Sequence, residues 1–409
     1  MARRWLLLAA MALMISPLVG ALPRMQAEDG AFLNRFSTIS TLASTVPANG
    51  DVNPYGLAVA PRSIGNLVRG NVLISNFNSS ANQQGTGTTI VQISPSGQQS
   101  LFAQINAAQL PGACPGGVGL TTALAVLRSG WVIVGSLPTA DGTPATAQIG
   151  CLLVLNSWGQ VVSTIAGPLI NGPWDMTALD LGPLAMLFVT NVLNGTVAAN
   201  GQTVNSGTVV RITLLTTPRA MPRVLQETVI GSGFPERTDP AALVIGPTGV
   251  GLSLDDAGDA ARVSSGLDTN LAQPHMGLRT EATLYVADSL NNRIAAIPNA
   301  IFRGSSAGSG RTVAINGALN DPLGLAIAPN GDILTVNGND GNAVETTAEG
   351  HQVAVKALDS SGDPPGAGAL FGLGIGPDHN GLFFVDDATN TLNLLHYVGA
   401  TSLPASGRQ

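Results

Sequence analysis

Six segments of the chain repeat one pattern: a turn, a short apolar strand opening on a small residue, a second turn and a second apolar strand. The opening strands lie at residues 56–59, 123–126, 178–181, 242–245, 324–327 and 372–375, and each begins on Gly or Ala. A small residue recurring at a strand start fits strands packed close to a crowded axis, where a larger side chain would clash. Second strands follow at 72–75, 131–134, 186–190, 283–287, 332–336 and 382–386, and third strands at 89–93, 151–155, 208–214, 293–297, 343–347 and 391–397. Fourth strands at 99–105, 160–165, 223–230, 312–316 and 352–358 are polar and edge-like, and stretches such as 352–355 alternate with the period of a half-exposed strand. The sixth repeat has no fourth strand of its own, whereas residues 36–42 read as an unassigned strand ahead of the first repeat. Both facts are accommodated if the N-terminal strand completes the sixth unit and closes a ring, which leaves only short, protected edges. The expected fold class is all-β: a six-bladed β-propeller of four-stranded antiparallel blades, closed by an N-terminal strand. Seven blades is the competing count, because residues 248–281 have room for further strands.

Composition agrees. Gly 50 and Pro 26 supply turns, charged residues are only 11%, and apolar residues are spread along the chain, which argues against both a helical protein and disorder. A net charge of -7 with Lys356 as the single lysine leaves no cation cluster to displace phosphate counterions, so nucleic acid is excluded as a partner. At the N-terminus, Arg3 and Arg4 precede an apolar run over residues 5–19, and Val19-Gly20-Ala21 offers small residues at a cleavage site. The expected organisation is a signal peptide (1–21), a linker (22–33), the propeller (34–398) with an insertion at 248–281, and a loose tail (399–409). It implies a secreted or periplasmic monomer with no transmembrane segment after cleavage. Cys114 and Cys151 fall within one expected blade; in an oxidising compartment they could pair, and the alternative is two unpaired thiols.

The segment Thr283-Leu284-Tyr285-Val286-Ala287-Asp288-Ser289-Leu290-Asn291-Asn292-Arg293-Ile294, in blade four, resembles the strand–turn–strand core of an NHL repeat. Residues 321–332 and 53–61 resemble the opening half of the same repeat. Asp288 and Asn291 suit a turn whose side chains bond back to the backbone.

For function, the second-to-third-strand loops of blades one to three (76–88, 135–150 and 191–207) are long, rich in Asn, Thr, Ser and Gly, and nearly uncharged. The main expectation is a non-catalytic binding scaffold that presents this face to a protein, peptide or glycan. The alternative is a propeller lyase or hydrolase with a divalent cation at the channel mouth. Asn53, Asp175, Asp239 and Asp321 each lie three residues before the small opening residue of a strand and could hold a hard cation such as Ca²⁺, with Tyr55 beside them in the same mouth. Asn-Pro and Asp-Pro pairs are also ordinary turn initiators. Resemblance to six-bladed hydrolases of the senescence-marker and paraoxonase type implies Asn, Asp or Glu ligands often just before the opening small residue. That position holds Tyr55, Thr122, Met176, Ala241, Leu323 and Phe371, none a carboxylate, which counts against a metal-dependent lactonase. The histidines, His275, His351, His379 and His396, have no spacing that implies a shared metal.

Overall fold

The computed structural model describes residues 30–217, 220–254, 282–376 and 379–397. The strands form six antiparallel sheets, five of four strands and one of five, arranged as the six blades of a propeller. The ring closes as the sequence predicts: the N-terminal strand (Thr38–Ser44) pairs antiparallel with the last strand (Thr391–His396), with Ile39 opposite Leu395. No helix among the described residues is long and apolar enough to cross a membrane.

The middle strands of each blade are buried on both faces because neighbouring blades cover them. Cys151–Leu155, Arg293–Ile297 and Ile333–Asn337 are buried at every position, so they lack the apolar–polar alternation of a half-exposed strand, and their polar members Arg293, Thr335 and Asn337 are buried too. Leu73 and Ile90 of blade one pack in one cluster with Val132 and Leu153 of blade two, and similar clusters fill the other gaps. Fourth strands such as Arg311–Ile315 are mostly exposed. Residues 30–33, at the end of the stretch read as a linker, join this packing: Phe32 and Leu33 are buried, and their N–H groups donate to the Glu345 carboxylate at 2.7 and 2.8 Å.

The repeat-like turn of blade four is closed by a buried ion pair. Arg293 lies 2.7 Å from Asp288, and Asn291 donates to the same carboxylate at 3.0 Å. Arg293 also donates to the Ser309 carbonyl at 2.8 Å, which ties the turn to the blade's rim.

Blades three and four differ from expectation. Residues 242–245 do not open blade four; Leu243–Ile245 is a fifth strand paired with the 20-residue outer strand (Ala220–Asp239) of blade three. Blade four opens instead with Pro247–Leu254, so the stretch read as an insertion from Thr248 begins with that blade's innermost strand. The remainder, residues 255–281, lies outside the described residues, as do the signal segment, His275 and the C-terminal tail.

Cys114 and Cys151 form a disulfide, with Cα atoms 5.1 Å apart, that ties the loop before blade two to its third strand. It closes a 37-residue separation. Replacing both by Ala is expected to cost about 3–4 kcal/mol in urea unfolding, by the loop-closure relation.

Candidate functional site

The innermost strands share one register. Pro54, Pro173, Pro247, Pro322 and Leu370 pair with Asn76, Asn191, Asp288, Asn337 and Asp386, and each ladder is interrupted just beyond this pair. Two residues on come Gly56, Asp175, Gly249, Gly324 and Gly372. Glycine is required there by the next blade. A Cβ at Gly249 would lie 2.2 Å from the Leu323 carbonyl oxygen, at Gly324 2.0 Å from that of Phe371, and at Gly372 2.3 Å from that of Tyr55. In blade two the counterpart is Ala123, set by the pairing of Leu124 with Val134. Blade three alone places a polar side chain at this position, and it is a carboxylate.

Asp175 accepts the Val250 N–H at 3.1 Å across the blade three–blade four gap. Its own N–H donates to the Thr190 hydroxyl at 3.0 Å, and that hydroxyl donates onward to the Thr248 carbonyl at 3.0 Å. The carboxylate lies deep in the gap between blades three and four, while Asp175 as a residue keeps some accessible surface and is among those that line the central channel. Burial pushes its pKa up from 3.8 to about 7, against the lowering effect of the Met176 and Val250 N–H groups.

The channel encloses about 840 Å³. Each blade contributes an apolar side chain to its wall: Leu57, Leu124, Met176, Val250, Leu325 and Leu373. At the end where the inner strands begin, it meets an aromatic stack. The Tyr55 ring lies 3.9 Å from Phe371 and 4.4 Å from Phe77, and Trp174 stands edge-on to Tyr55 and Phe77 at 5.9 and 5.5 Å. Leu243 and Val244 of the fifth strand join this cluster, with Leu137 and Leu193 from the long loops. Gln84, in the loop of blade one, donates to the Ala241 carbonyl at 3.0 Å and holds the cover in place.

Of the four residues expected to ring the mouth, Asp239 and Asp321 lie close enough for the charge of one to act on the other, whereas Asn53 and Asp175 are engaged elsewhere. Asn53 and Asp321 are true counterparts, each left-handed (φ 62° and 58°) before a proline, with their N–H groups donating to the side chains of Asn390 and Asn292 at 2.7 and 2.6 Å. The Asn53 amide donates to Asp387 at 2.8 Å and accepts from Asn78 at 3.1 Å. Asp239 pairs with Arg237 at 3.0 Å. Burial, and secondarily the charge of Asp239, raises Asp321 to about 6. Burial, then Asp386, raises Asp387 to about 7. Burial, then Asp387, pushes the Tyr55 hydroxyl far above its ordinary value. Tyr55 lies within the stack and does not line the channel.

The structure does not gather the four residues into one cation site. Asn53, Asp239 and Asp175 are engaged by different partners, and no group of three His, Cys, Asp or Glu among the described residues could hold a metal ion. By the observed ladder, the position before the opening small residue holds Tyr55, Thr122, Trp174, Thr248, Leu323 and Phe371; Met176 and Ala241 do not belong to that set. Calcium or a chelator is therefore expected to move the melting temperature negligibly in a thermal scan, whereas an ion at a hundredfold excess over its Kd would add about 2.7 kcal/mol.

The reading of Asp175 was hidden by register. Aligning Ala178 with the opening glycines places Asp175 three residues ahead of the strand, in a loop; the ladder puts it at the glycine position itself. The glycines at four of the other five positions were the available signal.

No protein-family model matches the chain, and no curated protein sequence does. Solved structures match its fold. A gluconolactonase from Xanthomonas campestris aligns with TM-score 0.50 and 13% identity over 88% of this chain and 90% of its own. A luciferin-regenerating enzyme aligns with TM-score 0.51 and 10% identity over 88% and 96%. A calcium-binding protein, regucalcin, from Agrobacterium tumefaciens aligns with TM-score 0.49 and 13% identity over 87% and 93%. At these identities the likeness shows the fold: a six-bladed propeller of the kind found in gluconolactonases.

The expectation of a non-catalytic scaffold is corrected here. The matched propellers include enzymes, and the loop-rich face of this chain is packed shut by Phe77, Leu137 and Leu193. The large concavity lies instead in the channel, beside a carboxylate of raised pKa.

Proposed function

We propose that this chain is a propeller hydrolase or lyase whose acid–base group is Asp175 and whose substrate occupies the central channel. One observation carries the reading: a residue lining the channel bears a carboxylate where four blades require glycine, with its pKa brought to about 7 by burial. A general base works best when its pKa lies near the operating pH, and burial is the usual way to bring a carboxylate there. Ionised Asp175 can take a proton from water attacking an ester or lactone, or from a carbon beside a carbonyl. The Val250 N–H holds the carboxylate in place, and the apolar wall favours a substrate that is neutral where it meets Asp175. The Asp288–Arg293 turn supports grouping blade four with NHL-type repeats. The disulfide and the apolar N-terminal run support export to an oxidising compartment.

The test is turnover across lactone, ester and carbon–oxygen elimination substrates, followed against pH. For a base with this pKa, kcat/KM is expected to rise with pH and level off above about 7. A profile flat across that region would rule out Asp175 as the base.

A further inference from the structure

The two ends of the channel differ in chemistry, and this difference constrains what can lie in it. Asp175 marks the aromatic end. Asp180, five residues on along the same innermost strand (Pro173–Asp180), lines the other, about 16 Å away at the rise of an extended strand. Between them the side chains on the wall are mostly apolar, interspersed with Thr177 and exposed backbone. At the far end the lining includes Arg69 and Arg128, both from the first-to-second-strand hairpins of blades one and two. The Asp180 carboxylate is turned to backbone there, accepting the Arg128 N–H at 2.6 Å and the Gly182 N–H at 2.8 Å. Among the described residues, neither arginine side chain is engaged in an ion pair. In a chain of net charge -7, two arginines at the end of an apolar tunnel are a local excess of positive charge.

We infer that the channel binds an elongated anionic amphiphile: an apolar body along the channel wall, and a carboxylate or similar anion at Arg69 and Arg128. This deepens the reading of the channel as the substrate site and rests on it. Burying the apolar body supplies most of the affinity, since each buried methylene contributes about 0.8 kcal/mol. The arginines set the direction of binding, because guanidinium and carboxylate form charge-assisted hydrogen bonds. Asp175 at the opposite end repels an anion, so the same ligand is disfavoured the other way round. The reactive group of such a substrate lies near the end remote from its anion, within reach of Asp175. The channel volume of about 840 Å³ falls within the range of small-molecule sites, about 300–1,000 Å³.

The experiment titrates the full chain with cis-parinaric acid and, separately, with its uncharged methyl ester, reading energy transfer from tryptophan. Trp174 lines the channel. The acid is expected to bind about fivefold to tenfold more tightly than the ester. In R69Q/R128Q that ratio should fall to about one while ester affinity stays unchanged, and W174F should weaken the transfer for both probes. Equal binding of acid and ester by the wild type overturns the inference. So does transfer that W174F leaves intact, which places the probe elsewhere, and so does failure of both probes to bind. Asp175→Asn is carried through the same titration and is expected to keep the preference for the acid. If it keeps both this preference and full turnover, the proposed catalytic role fails and the ligand class stands. If turnover depends on Asp175 but the acid is not preferred, the ligand class fails alone.

Discussion

Asp175→Asn is expected to stabilise the protein by about 2–3 kcal/mol at about pH 8, and by almost nothing near pH 3. The sign follows from the direction of the shift. In the unfolded chain the carboxyl ionises at its ordinary 3.8; in the folded protein burial holds it protonated up to about 7. Below both values the group is neutral in both states and costs nothing. As pH rises through this window the unfolded state loses its proton first, so folding stability declines, and the full penalty is reached above about 7. Asparagine has no charge to bury and keeps an oxygen to accept the Val250 N–H. The full shift from 3.8 to about 7 corresponds to a larger penalty, about 4 kcal/mol, but Asp175 retains some accessible surface, which reduces it. Urea unfolding of wild type and variant across pH reads the effect directly. A residue whose removal stabilises a fold is one retained for another reason.

Phe77→Ala is expected to be the most damaging single change at the closed end of the channel, costing about 3–5 kcal/mol. Phe77 is fully buried, stacks on Tyr55 and meets Trp174 edge-on. Its loss removes transfer free energy and leaves a cavity that Leu243 and Val244, held in the fifth strand, are poorly placed to fill. Phe371→Ala should cost less, because Phe371 is only partly buried. Urea midpoints of the two variants test the order. Equal effects would mean that the stack does not depend on Phe77 as its buried centre.

The propeller and its closure were legible because both are written in local pattern. Turn residues recur between apolar runs, small residues recur at strand starts, and the unpaired strand near residues 36–42 had one place to go. Blade four was misread because Leu243–Ile245 has the same short apolar form as a true opening strand, while Pro247–Leu254 follows without an intervening loop. Only pairing partners separate them: Leu243–Ile245 bonds outward to Ala220–Asp239, and Pro247–Leu254 bonds to Ala282–Asp288. The long loops looked like uncharged surface because Phe77, Leu137 and Leu193 are far apart in sequence and meet only over Tyr55. Asp175 was visible as a residue, but its meaning depended on a three-residue register that only the ladder supplies.

The most direct measurement is kcat/KM of Asp175→Asn beside wild type, on whichever lactone, ester or elimination substrate the wild type turns over. The account predicts a fall of about a hundredfold or more in a variant that is folded and more stable at neutral pH. Turnover retained by the variant, or no turnover by the wild type on any of these substrate classes, would contradict it.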